Sequence, residues 1–200
     1  MVVGLTGGIA TGKTTVSNLF KQYGAYIVDA DLIAREVVEP GRPGNQRVQE
    51  QFGKAFFFDD GSLNRKAMGQ KIFQDQILRK KLEQILHPLI RAEMKRQTAQ
   101  YQKKDQHGLI IWDVPLLFES SLTHLVEKVI VVYVPREVQL FRLMERDQLS
   151  REEAERRIDA QLSIETKRMR ADFVIDNQGS YQNTERQVEQ LWKSLSLRNG

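Results

Sequence analysis

Gly7-Gly8-Ile9-Ala10-Thr11-Gly12-Lys13-Thr14 fits the pattern G-x-x-x-x-G-K-[ST] at every fixed position. The apolar run Val2-Val3-Gly4-Leu5-Thr6 leads into it and Val16-Ser17-Asn18-Leu19-Phe20 leads out. Strand, glycine loop and helix in that order are the context a P-loop requires. The glycines let consecutive N–H groups curl inward, and the following helix aims its positive dipole end at the same point, so a polyphosphate fits there. Lys13 is then expected to reach the β- and γ-phosphates, and the Thr14 hydroxyl to ligate Mg²⁺.

Working outward, short β-rich runs recur between helical stretches: Val2–Thr6, Ala25–Val28, Leu109–Trp112, Lys128–Val134 and Asp172–Ile175. Such alternation reads as a parallel, doubly wound α/β sheet. The run Val129-Ile130-Val131-Val132-Tyr133-Val134 is apolar throughout, as a central strand covered on both faces must be. The segment from Arg42 to Lys104 reads as helical, with breaks near Gly53, Gly61 and Pro88. Leu78, Leu82, Ile85, Leu86, Leu89, Ile90 and Met94 repeat at helical spacing, so this is an inserted helical subdomain. His87-Pro88 is expected to separate two helices, because the residue before proline avoids the α region. The basic residues Arg79, Lys80, Lys81, Arg91, Lys95, Arg96, Lys103 and Lys104 fit either a solvated face or a wall for an anionic substrate. From Glu137 to Arg170 a second charged helical stretch breaks at Asp147-Gln148-Leu149-Ser150, where Ser150 and Glu153 have the spacing of a capping box. Arg142 and Arg146 share one helix face there. Two helices joined in this way are expected to close over phosphates as a lid.

Two carboxylate positions suit phosphate chemistry. Asp29-Ala30-Asp31 follows the second strand, at the sheet edge where open α/β sheets bind ligands. A carboxylate there can take the proton of an attacking hydroxyl, while the competing role for Asp31 is to cap the helix Leu32–Val38. Asp113 ends the apolar run Leu109-Ile110-Ile111-Trp112, a Walker-B-like placement suited to Mg²⁺ or substrate. His87 reads as a helix-boundary residue, and Phe56-Phe57-Phe58 as core or hinge packing. The chain has 200 residues and no cysteine, which excludes disulfides and thiolate metal sites. With a strand beginning at Val2 and no apolar stretch of spanning length, a soluble cytoplasmic protein is expected. Net charge +4 points to an anionic partner without choosing among nucleotide, nucleic acid and membrane.

Taken together, Gly4-Leu5-Thr6-Gly7-Gly8-Ile9, Val28-Asp29-Ala30-Asp31-Leu32-Ile33-Ala34-Arg35, His87-Pro88-Leu89-Ile90-Arg91, Asp113-Val114-Pro115-Leu116-Leu117-Phe118-Glu119 and Ala171-Asp172-Phe173-Val174-Ile175-Asp176-Asn177-Gln178-Gly179 resemble, in order, the blocks of the dephospho-CoA kinases. The resemblance implies transfer of the γ-phosphate of ATP to the 3′-hydroxyl of dephospho-CoA, the last step of coenzyme A biosynthesis. It implies an α/β three-layer P-loop kinase with a five-stranded parallel sheet, an inserted helical CoA-binding domain and a helical lid. On this sequence the core would be 1–40, 105–135 and 171–200, the CoA-binding subdomain 41–104 and the lid 136–170. Asp31 would be the base, acting with Lys13, Arg142 and Arg146. ATP would meet Gly7, Gly8, Ile9, Ala10, Thr11, Gly12, Lys13, Thr14 and Thr15, with Asn177 and Gly179 at the adenine. The acceptor would meet Thr6, Asp31, Arg35, His87, Arg91, Asp113, Pro115 and Leu116, and Mg²⁺ would meet Thr14 and Asp113. Ala10, where the family often has glycine, is expected to cost only backbone freedom.

Three other readings share parts of this pattern. A nucleoside or nucleoside-monophosphate kinase would share loop, sheet and lid, but the long basic insertion suits an extended acceptor carrying its own pyrophosphate. A P-loop switch protein lacks an explanation for the lid arginines, and the chain has no Asn-Lys-x-Asp segment. A nucleic-acid-binding ATPase lacks a recognition signature. The expected partner is therefore a small molecule, with neither nucleic acid nor membrane, in a monomer or weak homo-oligomer.

Overall fold

The computed structural model describes residues 1–197. Two compact units divide the chain: Met1–Val28 with Gln100–Gly200, and Asp29–Ala99.

The first unit carries a five-stranded parallel sheet of β1 (Val2–Gly7), β2 (Tyr26–Asp29, whose last residue opens the second unit), β3 (Ile110–Asp113), β4 (Lys128–Tyr133) and β5 (Phe173–Asp176), in the order β2-β3-β1-β4-β5. The five runs expected from sequence are these strands, each end within a residue of its expected place. In register, Leu5 lies between Asp113 of β3 and Ile130 of β4, and Gly7 beside Val132. Val3, Leu5, Ile130 and Val132 are all fully buried, packed with Val16, Leu19 and Phe20 of α1 (Lys13–Gln22) and with Val188 and Leu195 of α9 (Tyr181–Leu197). Each such side chain contributes roughly 1.5–3 kcal/mol by leaving water, so the strand that carries the P-loop is firmly held. Three helices follow β4: α6 (Arg136–Asp147), α7 (Arg151–Asp159) and α8 (Ile164–Met169). The break between α6 and α7 is as expected, closed by left-handed Gln148 and by the Ser150–Glu153 capping box.

The second unit contains α2 (Ala30–Glu36), α3 (Pro43–Phe52), α4 (Arg65–Gln74) and most of α5 (Gln76–Lys104). It begins at Asp29, so α2 falls within it. Val38, Val48, Met68 and Leu82 form its core, with Phe56 and Phe57 packed against them, whereas Phe58 is 56% exposed. Gly53 and Gly61 break the helical run with φ of 83° and 80°.

Pro88 does not. The expectation of two helices divided at His87-Pro88 is corrected: α5 runs unbroken through it. An internal proline costs a helix about 3 kcal/mol. Burial of Leu82 before it and Met94 after it supplies a gain of the same size, while His87 and Pro88 both face solvent.

Candidate active site

The P-loop is built by one left-handed residue on each side of Thr11. Gly12 has φ 83° and Ala10 φ 61°. A left-handed conformation costs a non-glycine residue roughly 1–2 kcal/mol, so Ala10 carries strain beyond the loss of backbone freedom expected from sequence. Its neighbours hold it: Ile9 and Ala10 pack on Leu140, Leu143, Ala154 and Ile158 of α6 and α7. The Ile9 carbonyl accepts from Gln139 Nε2 at 2.8 Å, and the Ile9 N–H donates to Gln161 Oε1 at 2.9 Å. No side chain caps α1, and its first turn holds no acid. Among the described residues the N–H groups of Lys13 and Thr14 have no protein acceptor, which leaves them for an anion.

Gly12 has a second constraint, since a Cβ placed there would collide with the Asn177 amide. Gly12→Ala is therefore expected to lower the melting temperature by several degrees and ATP affinity at least tenfold, measured by thermal melts and nucleotide titration.

Lys13 Nζ is paired with the Asp113 carboxylate, the two side chains being 17% and 6% exposed. Thr6 is fully buried and donates its hydroxyl to the Pro115 carbonyl at 2.9 Å, so its side chain braces the strand end and has no surface for the acceptor expected there. Leu116 is 39% exposed. Thr14 stands exposed in the first turn of α1, and Thr15 is partly buried, its N–H donating to Gly12 O at 3.0 Å. Among the described residues no cluster of three acidic or histidine side chains forms a metal cage. One hydroxyl and one carboxylate nevertheless suit Mg²⁺, which takes few protein ligands and completes its octahedron with waters and phosphate oxygens.

Asn177 joins the loop to the rest of the unit. Its Nδ2 donates to Thr11 O at 2.8 Å, its Oδ1 accepts from Thr184 of α9 at 2.7 Å, and its carbonyl accepts from Arg142 Nη2 at 3.0 Å. Gly179 lines a polar hollow with Asp176, Gln178, Asn183 and Gln187. Arg146 is exposed and bound to Asp147 through two hydrogen bonds, at 2.7 and 3.0 Å. Those bonds, opposed in part by burial and helped by Arg157, hold the Asp147 carboxyl below the usual range.

In the second unit Asp29, not Asp31, caps α2. Asp29 Oδ1 accepts from the N–H groups of Asp31 at 2.8 Å and Leu32 at 3.0 Å. The helix thus starts at Ala30, two residues before the expected Leu32. Asp31 is exposed, and among the described residues its carboxylate makes no hydrogen bond or ion pair. Arg35 is exposed at the end of α2. His87 and Arg91, one helical turn apart, line a surface hollow with Lys80, Glu83 and Gln84. Part of the basic character of α5 is neutralised along its own length, Arg79 by Glu83 at 2.9 Å and Arg96 by Glu93 at 2.6 Å. Arg96 and Gln97 hold the Glu93 carboxyl at about 2 against its partial burial.

Gln139, Gln161 and Lys167 carry no local sequence signal for the site, and Glu119, the last residue of a family block, carries none for its pairing with Lys167. Lys167 is fully buried, with Nζ 2.8 Å from Glu119 Oε1, 3.1 Å from Gly7 O and 3.3 Å from Pro115 O. Its partners lie up to 160 residues away along the chain, beyond the reach of any periodicity or motif.

With this geometry in place, comparison with known proteins is informative. A family model described as dephospho-CoA kinase matches residues 1–183. The dephospho-CoA kinase of Bacillus licheniformis is 46% identical over 196 residues, covering 98% of this chain and 97% of that protein. Among solved structures, TT1252 from Thermus thermophilus superposes with a TM-score of 0.80 at 30% identity, over 97% of both chains. The dephospho-CoA kinase of Campylobacter jejuni superposes with a TM-score of 0.69 at 30% identity, over 97% of this chain and 96% of that one.

Proposed function

The chain belongs to the dephospho-CoA kinase family and transfers the γ-phosphate of ATP to the 3′-hydroxyl of dephospho-CoA; we propose that its P-loop, Asp31 and lid arginines divide that work. The observation that carries this reading is the uncapped start of α1 behind left-handed Gly12, where the N–H groups of Lys13 and Thr14 have no protein acceptor among the described residues.

The P-loop from Gly7 to Thr15 cradles the ATP phosphates, with the N–H groups of Lys13 and Thr14 turned to them, and Lys13 exchanges Asp113 for the β- and γ-oxygens once they arrive. The adenine lies against the Asn177–Gly179 turn. On the acceptor, Asp31 takes the 3′-hydroxyl proton as the ribose oxygen attacks the γ-phosphorus and the bond to the β-γ bridging oxygen breaks, releasing ADP. Arg35, His87 and Arg91 meet the anionic part of dephospho-CoA, with Pro115 and Leu116 on the same substrate. Asp113 serves the metal, the acceptor or both. Thr14 and Asp113 are the side chains that would hold Mg²⁺, which would supply charge neutralisation for the transferred phosphate. Little covalent chemistry falls to the protein, so positioning, charge stabilisation and exclusion of water do most of the catalysis. Residues 1–40, 105–135 and 171–200 act as the nucleotide core, 41–104 as the acceptor-binding subdomain and 136–170 as the lid. One chain carries every group named, and the protein works as a monomer or weak homo-oligomer in the cytoplasm, where ATP is supplied.

The test is ADP release with Mg·ATP and dephospho-CoA, AMP, adenosine or no acceptor, the product being identified by mass and by 3′-nucleotidase cleavage. Turnover with dephospho-CoA alone is expected, and turnover with AMP would instead make this a monophosphate kinase. Within the lid, Arg142 must leave the Asn177 carbonyl and Arg146 must leave Asp147 to reach a phosphate. Arg142→Ala and Arg146→Ala are each expected to lower kcat by ~10²-fold. Unchanged kcat in both would remove the lid assignment.

A further inference from the structure

Lys167 is a lysine that water does not reach, on a helix too short to need it for its own stability. Burying an ammonium is expensive unless every donor is met, and here each of three oxygens meets it. One of those oxygens belongs to the nucleotide site and another to the segment assigned to the acceptor. Gly7 is the first residue of the P-loop, and Pro115 follows Asp113, the partner of Lys13, by two residues. The Pro115 carbonyl also accepts the Thr6 hydroxyl, so the ends of β1 and β3 are fastened at one point.

The peptide plane converts this clamp into an effect on phosphate. In a trans peptide the C=O and the next N–H point in opposite directions, and no peptide bond in the described chain is cis. With the Gly7 carbonyl drawn to Lys167, the Gly8 N–H faces the other way, away from Nζ. Glu119, 24% exposed, balances the ammonium charge and also accepts the Leu162 N–H at 3.0 Å. The pair is thus neutral as a whole, so it works on phosphate through geometry more than through attraction.

We infer that Lys167, held by Glu119, is a positioning residue for the nucleotide: it sets the Gly7–Gly8 peptide and the loop after Asp113 in the arrangement that receives the ATP phosphates. This rests on the reading that ATP occupies the P-loop.

The test compares Lys167→Met and Glu119→Gln with the wild-type chain, with steady-state kinetics at a temperature where circular dichroism shows each protein folded. For Lys167→Met the KM for ATP is expected to rise at least tenfold, several times more than the KM for dephospho-CoA. A purely structural lysine would lower the melting temperature and leave both KM values alone, and that result overturns the inference. Should Lys167→Met fail to fold, Glu119→Gln decides. That variant keeps the shape and one acceptor oxygen, and a threefold or greater rise in KM for ATP, larger than any in the KM for dephospho-CoA, supports the role while no such rise overturns it. A wild-type chain without ATP-dependent turnover of dephospho-CoA would overturn the P-loop reading and this inference with it, whereas an active wild type matched by both variants overturns the inference alone.

Discussion

Asp31→Asn is expected to lower kcat by ~10²–10⁴-fold while the affinity for ATP stays within about twofold. The structure makes this a clean substitution. Asp29 already supplies the cap of α2, taking the N–H groups of Asp31 and Leu32 at 2.8 and 3.0 Å. Asp31 is exposed and, among the described residues, holds no hydrogen bond or ion pair through its carboxylate, so the amide of asparagine displaces nothing. Melting temperature and circular dichroism should match the wild type. What asparagine cannot do is accept a proton, so the loss belongs to the chemical step. Initial rates of ADP release at saturating substrates, with ATP affinity from a separate titration, check both halves. Turnover close to wild type would remove Asp31 as the base and return attention to the remaining carboxylates.

Lys13→Ala is expected to cost about 10³-fold in kcat, the scale of a transition-state charge stabiliser removed from a site shielded from water. It should also destabilise the fold, because Lys13 and Asp113 form a pair with side chains only 17% and 6% exposed, and truncating Lys13 removes that attraction from a largely buried carboxylate. The two effects are separable. In the double variant Lys13→Ala, Asp113→Asn the carboxylate charge leaves together with its cation, so the melting temperature should return part of the way while kcat stays low. Recovery of both together would mean that Lys13 acts only as a structural partner of Asp113.

Strands were legible because a central parallel strand must be apolar on both faces, which leaves a continuous mark such as Val129–Val134. The P-loop was legible because its glycines, lysine and threonine are neighbours in the chain. Where the reading erred, one local rule was outvoted by another force. At Pro88, burial on both sides of the proline held α5 together. At α2 the cap fell to Asp29, since either aspartate satisfies the rule and only backbone geometry chooses between them. Thr6 sits in a family block, yet its hydroxyl is committed to Pro115 O. Lys167, Gln139 and Asn177 were silent in the role they fill, since each acts on a P-loop carbonyl at least 130 residues away and backbone groups leave no trace in a sequence.

The Thr184–Asn177–Thr11 chain of hydrogen bonds bears on how this protein is made. The P-loop leaves the ribosome well before α9, but β1 lies between β3 and β4, and the Thr11 carbonyl is held by a residue that is in turn held from α9. Synthesis proceeds at roughly 5–20 residues per second, so Thr11 waits on the order of ten seconds for Thr184. During that interval the nascent chain has the signature motif but no finished cradle, and it should be unable to retain ATP until α9 has docked.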